Sequence, residues 1–162
     1  MRELRQLAEK LGDALLRRGW KVTVAESCTG GWVAKCLTDI AGSSAWFDRG
    51  FVTYSNAAKV EMLGVSAETL ETAGAVSEPT VRAMAAGALV HSEADLALAI
   101  SGIAGPGGAV PGKPVGTVCF AWAIKDQLQQ ADTQYFSGDR DAVRRQSVAH
   151  GLRGLVHVLD DD

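Results

Sequence analysis

Apolar positions recur along this chain at two spacings, and the switches between them mark its elements. Leu4, Leu7, Ala8, Leu11 and Leu15 stand three and four residues apart, which predicts a helix that Gly19 closes. Val22 to Ala25 reads as a short buried strand. Thr29 to Ile40 returns to helical spacing, opened by two glycines that helices normally avoid. Ala41 to Ser44 predicts a turn, and Phe51 to Tyr54 a second strand. Ser55 or Asn56 can cap a helix that runs through Leu63 and stops at Gly64. A shorter helix follows Ser66 and ends near Gly74. Ser77-Glu78-Pro79 opens a long one reaching about His91, with Val81, Met84, Ala85 and Ala88 inward. Leu96 to Ile100 and Val115 to Ile124 are strongly strand-like, and Gln129 to Phe136 is a weaker strand suited to a sheet edge. A last helix begins near Asp139 or Asp141 and carries Val148, Leu152, Leu155, Val156 and Leu159 on one face.

The order is α-β-α-β-α-α-α-β-β-β-α. Alternation in the first half predicts parallel strands with helices on both faces. The short polar link between the last two strands predicts an antiparallel pair. The expected fold is α/β, a three-layer α/β/α sandwich with a mixed, mainly parallel sheet, in one domain over residues 1–162.

Composition narrows the function classes. The chain has 162 residues, 47% hydrophobic and 22% charged, enough to bury a real core. A net charge of −3 argues against a nucleic-acid-coating protein. No apolar run reaches the ~18 residues of a membrane span, and the N-terminus lacks a signal-peptide core. Three widely spaced cysteines without a C-x-x-C, and three histidines that form no ligand cluster with them, argue for reduced thiols, a cytoplasmic protein and no metal site.

The candidate chemistry sits at two strand ends. Ala25-Glu26-Ser27-Cys28-Thr29-Gly30-Gly31 places a hydroxyl and a thiol where a strand gives way to a helix, a corner that exposes a nucleophile and aims helix N–H groups at its target. No histidine lies in a motif, so Lys59 is the candidate base for Ser27. A desolvated lysine loses pKa and can accept a serine proton. The same residues admit a structural role, with Ser27 a helix cap and Lys59 a solvated lysine. Cys28 is the rival nucleophile, and a small buried apolar residue is its alternative. Tyr54 could orient Lys59 or protonate a leaving group. Ser101-Gly102-Ile103-Ala104-Gly105-Pro106-Gly107-Gly108 is neither a P-loop nor a dinucleotide fingerprint, because no G-K-[ST] closes it and Pro106, Pro111 and Pro114 forbid a helix. Its glycines let backbone approach a small ligand. Three arginines near the start of the last helix oppose its dipole, which makes Arg140, and with it Arg144, a candidate phosphate ligand; pairing with Asp139 and Asp141 is the alternative. Together these features suggest a site for a phosphate-bearing small molecule.

Ordered blocks across nearly the whole chain resemble the CinA C-terminal domain family of nicotinamide-nucleotide amidohydrolases. They are Ala25–Gly31, Gly42-Ser43-Ser44, Val52–Asn56 with Lys59, Leu63-Gly64-Val65, Gly74–Glu78, Gly102–Pro106 and Lys113–Val118. The resemblance implies a three-layer α/β/α domain in its stand-alone form. It implies hydrolysis of nicotinamide mononucleotide to nicotinate mononucleotide and ammonia, without a cofactor. It also implies a Ser/Lys dyad that falls on Ser27 and Lys59, with Tyr54 nearby. The expected ligand-binding set is Thr29, Gly30 and Gly31, as amide donors to the oxyanion, with Asn56, Ser101, Gly102, Gly105, Gly107, Arg140 and Arg144. Ser101 stands where the family often has threonine, and Ala109 where a further glycine is common. The expected partner is a small nucleotide, with no nucleic acid or membrane, and a homo-oligomer is expected from the weak edge strand and apolar last helix. A non-catalytic nucleotide-sensing module of the same fold, and an amidase for another small amide, remain the alternatives.

Overall fold

Large and small side chains alternate along the central strands, and this decides how the layers pack. The computed structural model describes residues 2–127 and 129–161; Met1 and Asp162, the ends of the expected domain, lie outside them. Helix α1 (Arg2–Arg18) precedes β1 (Val22–Glu26), α2 (Trp32–Thr38), a single 3₁₀ turn (Ser43–Ala45) and β2 (Phe47–Val52). Then come α3 (Asn56–Leu63), α4 (Ala67–Ala73), α5 (Glu78–Val90), β3 (Leu96–Gly102), β4 (Thr117–Ile124), β5 (Gln129–Tyr135) and α6 (Arg140–Asp161).

The strands form one sheet in the order β2-β1-β3-β4-β5. Strand β1 pairs parallel with β2 and β3, whereas β3–β4 and β4–β5 are antiparallel, so four of the five strands run the same way. On one face Leu96, Leu98 and Ile100 of β3 and Val118, Phe120, Trp122 and Ile124 of β4 pack with α1, α2 and α6. On the other, Ala97, Ala99, Cys119, Ala121 and Ala123 meet α5 and Leu63. The bulky face accommodates α6 because that helix presents glycine: a Cβ on Gly154 would lie 2.1 Å from the Trp122 ring. Trp122 Nε1 donates to the Gly151 carbonyl at 3.0 Å, which satisfies the indole inside the core. The three layers and the mixed sheet are those expected.

Several local boundaries differ from expectation, among them the start of β4, which lies at Thr117 and not at Val115. Strand β2 starts at Phe47 and ends at Val52, so Thr53 and Tyr54 lie beyond it. Its Asp48, Arg49 and Gly50 interrupt the apolar pattern because it is an outermost strand. Helix α2 is shorter than Thr29–Ile40, since Gly30 and Gly31 adopt positive φ (59° and 103°) and form a turn before it. Ser43–Ala45 forms a 3₁₀ turn.

Strands β1 and β2 position the site. Glu26 pairs with Val52, and the Thr53 N–H donates to the Glu26 carbonyl at 2.8 Å, so the two strands end side by side. The helices that follow them leave toward opposite faces, α2 to the bulky face and α3 to the alanine face. Such a divergence opens a crevice at the carboxyl ends of parallel strands.

Candidate active site

Ser27 and Thr53 are the first residues beyond β1 and β2. Ser27 is held by its N–H, which donates to the Ile100 carbonyl of β3 at 3.0 Å. Beyond Thr53, Ser55 caps α3 by accepting from the Ala58 N–H. That cap fixes the first turn of α3, and Lys59 projects from it back under the strand ends. Lys59 is 1% exposed and Ser27 7%. Lys59 Nζ lies 3.0 Å from Ser27 Oγ, 2.9 Å from the Thr53 carbonyl and 3.3 Å from the Tyr54 carbonyl. Ser27 Oγ is itself 3.4 Å from the Tyr54 carbonyl.

Burial lowers the pKa of Lys59, against a smaller upward pull from the Cys28 thiol. The surroundings suit the neutral amine. A neutral amine has two hydrogens and one lone pair: the two carbonyls accept the hydrogens, which leaves the lone pair for the Ser27 hydroxyl. In the ammonium form the same nitrogen donates to Ser27 Oγ instead. No carboxylate bonds to Lys59 among the described residues. Cys28 differs: burial pushes its thiol up to about 12, with Glu26 adding and Arg144 opposing, so it stays protonated near neutral pH.

Ser27, Cys28, Tyr54, Asn56 and Lys59 line one side of a cavity of about 300 Å3. Ser101, Gly102, Gly105 and Gly107 form the facing wall, Ala75 and Val76 add an apolar patch, and Arg140 stands at the rim. Gly105 is obligatory in that wall: its φ is 85°, and a Cβ there would lie 2.5 Å from Val115. Arg140 donates from Nη1 to the Gly105 carbonyl at 2.8 Å and from Nη2 to the Tyr54 hydroxyl at 3.3 Å. Arg140 places positive charge at the mouth, and the described wall carries no acid.

The CinA C-terminal domain matches residues 4–159 of this sequence. The chain belongs to that family. The nicotinamide-nucleotide amidohydrolase PncC of Escherichia coli K12 is 62% identical over 153 residues, covering 94% of this chain and 93% of the relative. PncC of Pseudomonas putida is 49% identical over 152 residues, 94% of each chain. The crystal structure of the competence/damage inducible protein CihA from Agrobacterium tumefaciens matches with a TM-score of 0.94 at 45% identity, covering 98% of this chain and 96% of that one.

In this CinA domain, four of the expected binding residues stand apart from the cavity. Thr29, Gly30, Gly31 and Arg144 line a second cavity of about 470 Å3 with Trp32, Lys35, Cys36 and Asp39. The amides of Gly30 and Gly31 are already engaged, with the Ser27 carbonyl at 3.0 Å and Glu26 Oε1 at 3.2 Å. Arg144 points to the back of the Ser27 turn. Tyr54 is 62% exposed and turns its hydroxyl to Arg140, while its backbone carbonyl is what meets Lys59.

Sequence reasoning missed two contributors. Thr53 acts through its carbonyl, which no residue type reveals. Glu26 is buried and caps α2 from five residues upstream of Gly31, which itself offers no side-chain cap. The sequence placed Glu26 at the end of β1, just before the turn, but offered Ser27 as the cap of the helix that follows, which hid the role of the carboxylate.

Proposed function

We propose that this chain hydrolyses the carboxamide of nicotinamide mononucleotide to nicotinate mononucleotide and ammonia, with Ser27 as nucleophile and Lys59 as base. The observation that carries the proposal is the 3.0 Å approach of Lys59 Nζ to Ser27 Oγ inside a buried pocket. The 62% identical PncC, named for amide hydrolysis of nicotinamide nucleotides, supports the substrate class.

Neutral Lys59 takes the Ser27 proton as Oγ attacks the carboxamide carbon, and the carbonyl electrons move to oxygen. The Cys28 N–H, the amide following the nucleophile, replaces Thr29, Gly30 and Gly31 as the oxyanion donor, because those three line the second cavity and the two glycine amides are occupied. Where one such donor has been removed from other enzymes, the loss is about 3–4 kcal/mol of transition-state stabilisation. Collapse of the intermediate breaks the C–N bond, and the Lys59 ammonium returns the proton so that nitrogen leaves as ammonia. Water, deprotonated by Lys59, then cleaves the acyl-enzyme and restores the Ser27 hydroxyl. Arg140 and the Gly105–Gly107 wall hold the phosphate, with Asn56, Ser101 and Gly102 facing the rest of the nucleotide. Only water is consumed.

Copies of the chain assemble through the edge strand β5, since the apolar face of α6 is spent on the core; light scattering on the purified protein reads the oligomeric state. Three buried free thiols suit the reducing cytoplasm.

The test is release of ammonia and nicotinate mononucleotide by the purified protein. The wild type releases both, and Ser27→Ala releases neither while keeping its melting temperature. No release by the wild type, or full release by Ser27→Ala, rejects the proposal.

A further inference from the structure

The turn that carries Ser27 is gripped by two charged side chains that stay out of the substrate cavity. From the strand side, Glu26 accepts hydrogen bonds from the Thr29 hydroxyl (2.6 Å) and from the amides of Gly31 (3.2 Å), Val33 (2.9 Å) and Ala34 (3.0 Å). From the helix side, Arg144 donates from Nε to the Cys28 carbonyl at 3.0 Å and from Nη2 to the Thr29 carbonyl at 3.1 Å. Its guanidinium also lies 5.5 Å from the centre of the Trp32 ring. The carboxylate gathers the turn's amides and the guanidinium its carbonyls, so both polarities of backbone between Cys28 and Ala34 are held by charge. Bonds of this kind are roughly twice as strong as neutral ones, and a guanidinium fork also fixes direction.

We propose that Arg144, working against Glu26, is a positioning residue that holds Ser27 Oγ on line with Lys59, and that it is not a ligand of the substrate phosphate. The proposal rests on Ser27 being the nucleophile. Arg144 comes from α6, far from Ser27 in sequence, and its fork is spent on the carbonyls of Cys28 and Thr29, the two residues after the nucleophile. Those carbonyls set the orientation of the peptide planes after Ser27, hence the direction in which its side chain leaves the turn. The second cavity lies against Arg144 and Gly30. Water entering from it can satisfy the Cys28 and Thr29 carbonyls when the guanidinium is removed. Loss of Arg144 therefore loosens the turn without unfolding the protein.

Two measurements on Arg144→Gln and Arg144→Lys test this. The first is steady-state ammonia release from nicotinamide mononucleotide. The second is the rate at which a fluorophosphonate labels Ser27, followed by intact mass: the Oγ–phosphorus bond forms, fluoride leaves and Lys59 takes the proton. Misplacing a nucleophile by about 1 Å costs on the order of 100-fold. Arg144→Gln is expected to lose about 10- to 100-fold in kcat with KM within about twofold, and labelling falls in parallel. Arg144→Lys, with charge but no fork, falls between it and the wild type. Glu26→Gln combined with Arg144→Gln costs less than the product of the single losses, because both act on one turn. A rise in KM at constant kcat, or an unchanged labelling rate in Arg144→Gln, overturns the proposal. If the wild type releases no ammonia, the proposed substrate is wrong, and the labelling rates alone decide the role of Arg144. A wild type that is not labelled at Ser27 overturns it as well.

Discussion

A buried lysine bonded to a hydroxyl and two carbonyls, with no carboxylate bonded to it among the described residues, gives up its proton more readily than a free one. Because burial lowers its pKa below the ordinary 10.5, the reactive neutral fraction grows as pH rises and at every pH exceeds that of a free lysine. The expected profile of kcat/KM is a limb that climbs with pH with its midpoint below 10.5. Stability carries the same sign. The unfolded chain binds the Lys59 proton more tightly than the folded one, so folding is penalised below the folded pKa, and the penalty fades as pH rises toward 10.5. Lys59→Arg keeps a charge that no accessible pH removes. Its expected ammonia release is about 10²–10⁴-fold lower with no rising limb, checked by a pH–rate series on both proteins. A Lys59→Arg variant as fast as the wild type would remove the amine from the chemistry.

At the scale of elements, α3 and α5 approach so closely that a Cβ on Gly87 would sit 2.0 Å from the Leu63 carbonyl oxygen. Alanine there gains about 1 kcal/mol of helix propensity. It also collides with backbone, which has no rotamer to yield, and overpacking costs typically 1–3 kcal/mol. Gly87→Ala is expected to be destabilising on balance in urea unfolding and, because α3 carries Lys59, to lower kcat as well. An unchanged unfolding midpoint would show that the two helices slide apart freely. Element order was legible in the chain, because Gly19, Gly64, Gly74 and Ser77 punctuate strong apolar patterns, and the carboxyl ends of β1 and β2 were placed to within two residues. The meeting of Ser27 with Lys59 followed from assuming β1 and β2 to be neighbours. The start of β2 was not legible, since Asp48-Arg49-Gly50 belongs to an outermost strand whose polar groups are not buried. Nor was the aim of Arg144. One helical turn separates it from Arg140, yet the two guanidiniums serve different cavities, and only the docking of α6 decides which.

At the scale of the molecule, ligand binding and global stability are linked. A ligand at about 100 times its Kd stabilises the fold by about 2.7 kcal/mol. For a chain of this size each kcal/mol moves the melting temperature by roughly 2–4 °C. Ser27→Ala protein with nicotinamide mononucleotide in that excess is expected to melt roughly 5–10 °C higher than without it. Arg140→Ala at the same concentration is expected to lose most of the shift. A full shift in Arg140→Ala would take the phosphate away from the cavity mouth.

The alternation of bulky and small side chains on β3 and β4 reaches beyond packing. Sliding β4 by one position would drive Phe120 and Trp122 into the tight seam against α5 and leave alanines facing the broad hollow beside α6. Neither side could tolerate the exchange, so the sheet has a single way to zip. The chain carries its own proofreading against misalignment, written in volume where polarity could not write it, because both faces are dry.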